Sequence, residues 1–212
     1  MTNEEIRKQI MQQGLSQSEL ATDPLAKFDD WYKLVIDTDT YEPGAMSLAT
    51  VDETGKPWQR IVLLKSHDEH GFVFFTNYSS RKAKQISGNP NISALFPWHV
   101  FGRQVIINGA VSKISTEESL QYFSTRPRGS QLGAWASRQS QPIDSRSTLD
   151  TTVEEMRQKY ADKFIPLPPF WGGYRLVPRT YEFWQARENR LHDRFIYNRS
   201  SDHDWNIERL AP

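Results

Sequence analysis

Apolar and polar positions alternate through the middle of the chain in short, bounded runs. AMSLATV (45–51), WQRIVLLK (58–65), FVFFT (72–76), NISALFPW (91–98) and RQVIINGAVSKI (103–114) are rich in β-branched and aromatic residues, and DETGKP, SHDEHG and HVFG between them have turn compositions. This pattern predicts an antiparallel meander. Ahead of it the period is helical. Thr2 and Glu5 are spaced as a capping box, Ile6 and Ile10 share a face, and Gly14 stands where a helix would stop. A second helix begins at Asp23-Pro24, carries Leu25, Phe28, Tyr32 and Val35 at helical spacing, and ends before TDTYEPG. One helix interrupts the meander, with Ser79, Ser80, Arg81 and Lys82 in its first turn. Ser115 and Glu118 form another capping box opening TEESLQYFSTRP, and a longer helix covers roughly 146–162. Beyond IPLPPF, the segments WGGYRLVP, TYEFWQA, RLHDRFIYN and WNIERLAP read as strands. Strands, a helical insert and strands again predict an α+β fold, an antiparallel barrel with peripheral helices rather than a doubly wound sheet. The expected organisation is one domain over 1–212: a helical segment 1–40, a first barrel part 41–114, a helical insert 115–165 and C-terminal strands 166–212.

Composition narrows the partners. Lys plus Arg and Asp plus Glu are 26 each, so no overall field attracts nucleic acid or an anionic membrane, and an anion must be held by a local cluster. Nucleic acid and membrane are therefore not expected partners. There is no cysteine, which removes thiol chemistry and fits the cytoplasm, and no run reaches the ~18 apolar residues of a membrane span. G-x-G-x-x-G, G-x-x-x-x-G-K-[ST] and G-x-S-x-G are all missing. His67 and His70 have no third ligand near them in sequence, so no metal is expected.

What remains is a set of anion-binding candidates. Arg81 and Lys82 at a helix start oppose the macrodipole, as they would if a phosphate sat there; a solvated surface helix is the plain alternative. Arg60 and Lys65, five apart, face opposite sides of a regular strand and meet one ligand only if the strand ends or bulges near Lys65. Tyr122 and Arg126 are i, i+4, with Ser130 after a Pro-Arg-Gly turn; the three suit a phosphate monoester, and a helix-end arginine on the C-terminal dipole is equally compatible. Gln104 starts a strand. In RLHDRF (190–195) an extended backbone would put Arg190, His192 and Arg194 on one side, a cationic stripe, and Leu191, Asp193 and Phe195 on the other.

Together, QRIVLLK, FFTN with SSRKAKQ, LFPWH, RQV, YFSTRPRGSQLGAWAS, FWGGYR and EFWQARENRLHDRF closely resemble the pyridoxine (pyridoxamine) 5′-phosphate oxidase family, from about residue 22 to the final ERLAP. The resemblance implies an FMN-binding split barrel and a homodimer with flavin sites between subunits. It implies oxidation of pyridoxine 5′-phosphate and pyridoxamine 5′-phosphate to pyridoxal 5′-phosphate, with O2 as acceptor and H2O2 as product. By matching motif, FMN would meet Arg60, Ile61, Val62, Leu63, Leu64, Lys65, Phe75, Thr76, Arg81 and Lys82. Gln104, Gln139, Ser140, Trp184 and Arg194 would complete that site, some from the second subunit, with Arg194 offsetting charge that develops on the flavin. Arg7, Lys65, Tyr122, Arg126, Ser130 and Leu191 would contact substrate. Arg190 and His192 would be catalytic, lying over the pyridine ring, His192 as a base or as a positioning contact. Asp193 would orient its neighbours. The chain departs from the family pattern at Ile10, where tyrosine is usual, at Glu42, where aspartate is common, and at Ala186, where glycine is common. The competing readings are a split-barrel flavoprotein with another substrate and a flavin-binding module without turnover. Either would keep Arg60, Arg81 and Lys82 but has no need of Tyr122, Arg126, Ser130, Arg190 and His192 together.

Overall fold

The central strands are where alternation put them. In the computed structural model, which describes residues 1–38, 40–201 and 204–212, β1 is Ala45–Val51, β2 Pro57–Leu63, β3 Ser66–Asp68, β4 Gly71–Asn77, β5 Asn91–Phe96, β6 Arg103–Lys113, β7 Trp171–Gln185, β8 Asp193–Arg199 and β9 Trp205–Leu210. All pair antiparallel in one sheet, ordered β2-β1-β5-β6-β7-β4-β3, with β8 on β7 and β9 on β8. The sheet curls so that the chain leaving β2 reaches β4, where the Lys65 N–H donates to the Val73 carbonyl. This is the open, split form of an antiparallel barrel.

Strand β7 organises it. Its first half pairs with β4 (Trp171–Leu176 against Phe72–Asn77), its second half with β8 (Thr180–Gln185 against Asp193–Asn198), and β6 runs along its other side. The sequence suggested two strands, WGGYRLVP and TYEFWQA; they are one, interrupted by a register shift opposite Asn108 and Gly109. Pro178 falls at that bulge, where a residue without an N–H is tolerated. Gly109 is required there, because a Cβ would collide with the Val177 carbonyl oxygen.

The helices are α1 Asn3–Gln13, α2 Pro24–Asp37, α3 Arg81–Gly88, α4 Thr116–Thr125, α5 Arg128–Ala136 and α6 Arg146–Lys159. The capping boxes at Thr2/Glu5 and Ser115/Glu118 form, and Asp23 caps α2. Helix α2 turns Phe28, Trp31 and Val35 into the barrel, where Phe28 meets Phe72 and Phe96 edge-on at ring separations of 4.9 and 5.0 Å. A second apolar cluster, Phe123, Leu132, Tyr160, Ile165 and Trp171, seats α4 and α5 against the start of β7. Arg175 of β7 adds ion pairs to Asp68 (2.6 Å) and to Glu118 of α4 (3.1 Å).

Four expectations need correction. SHDEHG holds the short strand β3 as well as a turn, because Ser66–Asp68 finds Gly71–Val73 opposite. The helix expected from Ser79 starts at Arg81, with the Ser80 hydroxyl accepting from the Ala83 N–H as cap. The Pro-Arg-Gly turn is the start of α5, so Ser130 stands on a helix. The longest departure is RLHDRF. Glu188–Arg190 form a 3₁₀ turn with Asn189 and Arg190 at φ 55 and 61, and β8 begins only at Asp193. Arg190, His192 and Arg194 therefore do not form one stripe. Long-range contacts override alternation here: Asp193 accepts from the Leu15 N–H at 3.0 Å and pairs with Arg209 at 2.7 Å, and the Arg187 guanidinium donates to the Met11 and Gln12 carbonyls, both 3.1 Å.

Candidate functional site

A cleft of about 460 Å³ opens between the end of β2, strand β4, the α4–α5 corner and the turn after α5. Its lining includes Ile61, Val62, Leu63, Lys65, Phe75, Thr76, Lys82, Tyr122, Arg126, Ser130 and Gln139. Eleven sequence candidates thus share one cavity. Strand β2 ends at Leu63, which frees Lys65 from the alternation that would have sent it away.

The floor is aromatic. Phe75 stacks on Tyr122 with ring centroids 4.0 Å apart, and Trp171 lies parallel to both, 5.3 Å from Phe75 and 6.2 Å from Tyr122. Gly173 permits this, because a Cβ there would come within 2.9 Å of the Phe75 ring. The walls are cationic. Lys82, 8% exposed, donates from Nζ to Thr76 Oγ1 and Gln139 Oε1, both 3.0 Å, and burial, assisted by Arg60, pushes its pKa down to about 8. Arg60 donates to the Leu48 carbonyl, Thr50 Oγ1 and Gln85 Oε1. Burial, with Arg81 adding to it, lowers its pKa. Arg81 lies over the Trp58 ring at 4.2 Å. Arg126 lies over Trp171 at 4.7 Å, its pKa lowered by burial, and its Nη1 is buried without a hydrogen-bond partner.

The charge balance decides what this cleft can hold. Arg146, Arg157, Arg175, Arg187, Arg194 and Arg209 all pair with carboxylates. Among the described residues none of Arg60, Lys65, Arg81, Lys82 and Arg126 does, and no Asp or Glu lines the cleft. Lys82 and Arg126, desolvated and without a carboxylate partner over a planar aromatic floor, with exposed Lys65 at the rim, suit a planar ligand bearing phosphate.

The remaining candidates lie elsewhere in the chain. Val105, Phe183 and Phe195 are aligned across β6, β7 and β8 and fully buried, so their neighbours Gln104, Trp184 and Arg194, also aligned, face outward. The His192 ring lies 4.5 Å from Trp184, and its Nδ1 accepts from the Arg187 backbone N–H at 3.2 Å. Arg194 donates to Glu182 and to the Ala211 carbonyl. Arg190 and Leu191 are exposed, Leu64 is in the core, and Ser140 sits exposed at φ 68 beside Gln139. Arg7 donates to the His99 carbonyl at 2.7 Å, and Ile10 is buried. One chain therefore presents two sets of candidates, a cationic cleft and an outward sheet face. Sequence reasoning missed Trp171, Asn77, Ser137, Gly133 and Ala134 in the cleft lining. All five had a signal in the quoted stretches: Trp171 in FWGGYR, Asn77 in FFTN, and Gly133, Ala134 and Ser137 in YFSTRPRGSQLGAWAS.

Comparison with known proteins follows the same division. Residues 36–160 match the family described as pyridoxamine 5′-phosphate oxidase, and residues 171–212 match the pyridoxine 5′-phosphate oxidase C-terminal dimerisation region. The chain is 54% identical over 207 residues to a pyridoxine/pyridoxamine 5′-phosphate oxidase of Rippkaea orientalis, covering 98% of each. Its fold is similar to PhzG from Burkholderia lata, solved in complex with tetrahydrophenazine-1-carboxylic acid, with TM-score 0.87, 28% identity, and 93% and 98% of the two chains covered. An FMN-binding, pyridoxamine 5′-phosphate oxidase-related protein from Nostoc punctiforme shares the fold at TM-score 0.69 and 19% identity, over 92% of this chain and 99% of that one.

Proposed function

This chain belongs to the pyridoxine/pyridoxamine 5′-phosphate oxidase family, and on that premise we propose how its residues divide the work of oxidising pyridoxine 5′-phosphate and pyridoxamine 5′-phosphate to pyridoxal 5′-phosphate. The observation that carries the reading is that Lys82 and Arg126 are desolvated in the aromatic cleft with no carboxylate partner among the described residues. FMN held here would supply the redox chemistry, a two-electron oxidation of the substrate carbon with O2 as the final acceptor and hydrogen peroxide as its product. The alcohol gives the aldehyde directly, and the amine does so with uptake of water and loss of ammonia.

In this reading Arg60, Arg81 and Lys82 hold the FMN phosphate and ribityl chain, and Thr76 and Gln139, already bonded to Lys82, hold that lysine in place. Ile61, Val62, Leu63 and Phe75 exclude water along the ring system. Lys65, Tyr122, Arg126 and Ser130 bind the substrate phosphate, and the orphaned Nη1 of Arg126 is the donor that phosphate would satisfy. The protein is a homodimer in which 171–212 is the dimerisation region. We assign Gln104, Trp184, Arg194, Arg190 and His192 to the cleft of the other protomer. Because His192 Nδ1 accepts from a backbone N–H, its neutral ring carries the proton on Nε2. It then donates to substrate, which favours a positioning role over that of a base. Arg190, held with φ positive in the turn before β8, places a cation beside the reacting carbon. Cytoplasmic localisation belongs to this proposal; among the described residues no helix is long and apolar enough to cross a membrane.

The test is the visible spectrum of the FMN-loaded protein before and after pyridoxine 5′-phosphate without oxygen. Bleaching is expected, with colour and one H2O2 returning on admission of air. A bound flavin that stays oxidised would reduce the protein to a flavin-binding module.

A further inference from the structure

Arg194 is the one assigned flavin contact whose charge is already answered within its own chain, and that difference singles out Glu182. Oε1 of Glu182 accepts from Nε of Arg194 at 2.9 Å and forms an ion pair with Nη2 at 2.8 Å, and the Ala211 carbonyl accepts from Nη1 at 2.9 Å. The arrangement follows from register. Trp184 stands opposite Arg194 across β7 and β8, and Glu182 lies two residues back on the same outward face, the diagonal position a long side chain reaches. The Glu182 side chain is 14% exposed and has no other hydrogen-bond or ion-pair partner among the described residues. The cations of the cleft, by contrast, have no carboxylate partner among the described residues.

We propose that Glu182 is a positioning residue of the flavin site that acts through Arg194: it fixes the guanidinium plane and offsets its charge. This rests on the reading that Arg194 faces FMN. A guanidinium has five N–H donors; two are hydrogen-bonded here and Nη2 lies against the same carboxylate, so the plane is set before any ligand arrives and donors are left for it. A carboxylate under 3 Å away also turns a full positive charge into a short dipole. Negative charge gained by FMN on reduction is then stabilised less than a free arginine would allow. Glu182 thus holds the reduction potential of bound FMN below the value Arg194 alone would set, which favours passing electrons on to O2.

The experiment uses the full chain, stripped of flavin and reloaded with FMN, with two readouts: FMN affinity by fluorescence quenching, and the midpoint potential of bound FMN by equilibration with a reference dye. E182Q keeps the shape and the acceptor oxygen and removes only the charge. It should leave FMN affinity within about twofold of wild type in the oxidised state and strengthen binding of the reduced state about tenfold, equivalent to a rise of about 30 mV for a two-electron couple. E182A, which also frees the guanidinium, should weaken oxidised FMN. The double variant E182Q/R194M should match R194M, because Glu182 acts only through Arg194. If R194M shifts the potential and E182Q does not, the inference about Glu182 is wrong while the site reading stands. If R194M changes neither affinity nor potential, Arg194 is not at the flavin and both fall.

Discussion

Replacing Lys82 by methionine should make the flavin-free protein more stable and its FMN binding weaker at the same time. Lys82 is 8% exposed, its two acceptors are the neutral oxygens of Thr76 and Gln139, and its pKa is depressed from 10.5 to about 8. The folded state therefore binds fewer protons than the unfolded chain between those two values, so stability rises with pH across that window. Below pH 8 the full cost of a buried charge is present, an upper bound of about 3 kcal/mol at roughly 1.4 kcal/mol per pH unit. Methionine removes that cost and two hydrogen bonds worth about 1 kcal/mol each, leaving a gain of about 1 kcal/mol at pH 7. Urea unfolding of the apoprotein measures it. FMN titration should show the opposite sign, a loss of about 1.5–3 kcal/mol, the usual worth of a hydrogen bond to a charged group. Wild-type affinity should also hold steady up to pH 8 and then decline, by at most about tenfold per pH unit, as the free site loses the proton that phosphate binding requires. K82M should show no such decline. An apoprotein destabilised by K82M, or an FMN titration it leaves unchanged, would refute the argument that Lys82 is an unsatisfied charge awaiting an anion.

Arg126→Met should raise KM for pyridoxine 5′-phosphate by about 10–150-fold, the equivalent of about 1.5–3 kcal/mol, with FMN titration unaffected; an unaltered KM would remove Arg126 from the phosphate site. Arg128 donates to the Tyr160, Ala161 and Lys163 carbonyls and so ties the start of α5 to the end of α6. Arg128→Ala should lower stability by about 1 kcal/mol, since the group is largely exposed, and should raise KM through loss of the Ser130 position; thermal unfolding and steady-state kinetics read the two effects. Gly109→Ala should cost about 1–3 kcal/mol by overpacking against β7, and a Tm equal to wild type would show that the bulge opens without penalty.

The parts of this fold legible in the sequence are those whose cause is local. Thr2/Glu5, Asp23-Pro24 and Ser115/Glu118 mark helix starts because capping is a contact between residues three or fewer apart. Lys65, Tyr122, Arg126 and Ser130 were grouped through their motif, and one cleft holds all four. What was not legible depends on distant partners. Pro127, Gly129 and Gly133 hide α5, which forms because Leu132 and Ala136 are buried. RLHDRF looks like a strand by alternation, yet Arg187 and Asp193 bond to residues 11–15 and hold Asn189 and Arg190 in a left-handed turn. The energy of that turn is written some 175 residues upstream, outside any sequence window.

The separation of the candidates into two sets has a physical origin in β7. Its inward residues, Phe183 above all, fill the barrel, so the alternate positions must point away from the core and cannot reach the cleft of their own chain. That outward face carries Trp184 between Gln104 and Arg194, and Glu182 between Ile106 and Ile196, a mixed surface that is half-buried within the chain. In our reading dimerisation through 171–212 covers that face and delivers Gln104, Trp184 and Arg194 to cleft cations that, among the described residues, have no carboxylate partner. The cleft keeps Lys82 and Arg126 desolvated at a cost to the monomer, and the ligand that meets them also meets the partner. In that reading burial of the sheet face and satisfaction of the cleft are one event, and assembly of the dimer is coupled to retention of FMN.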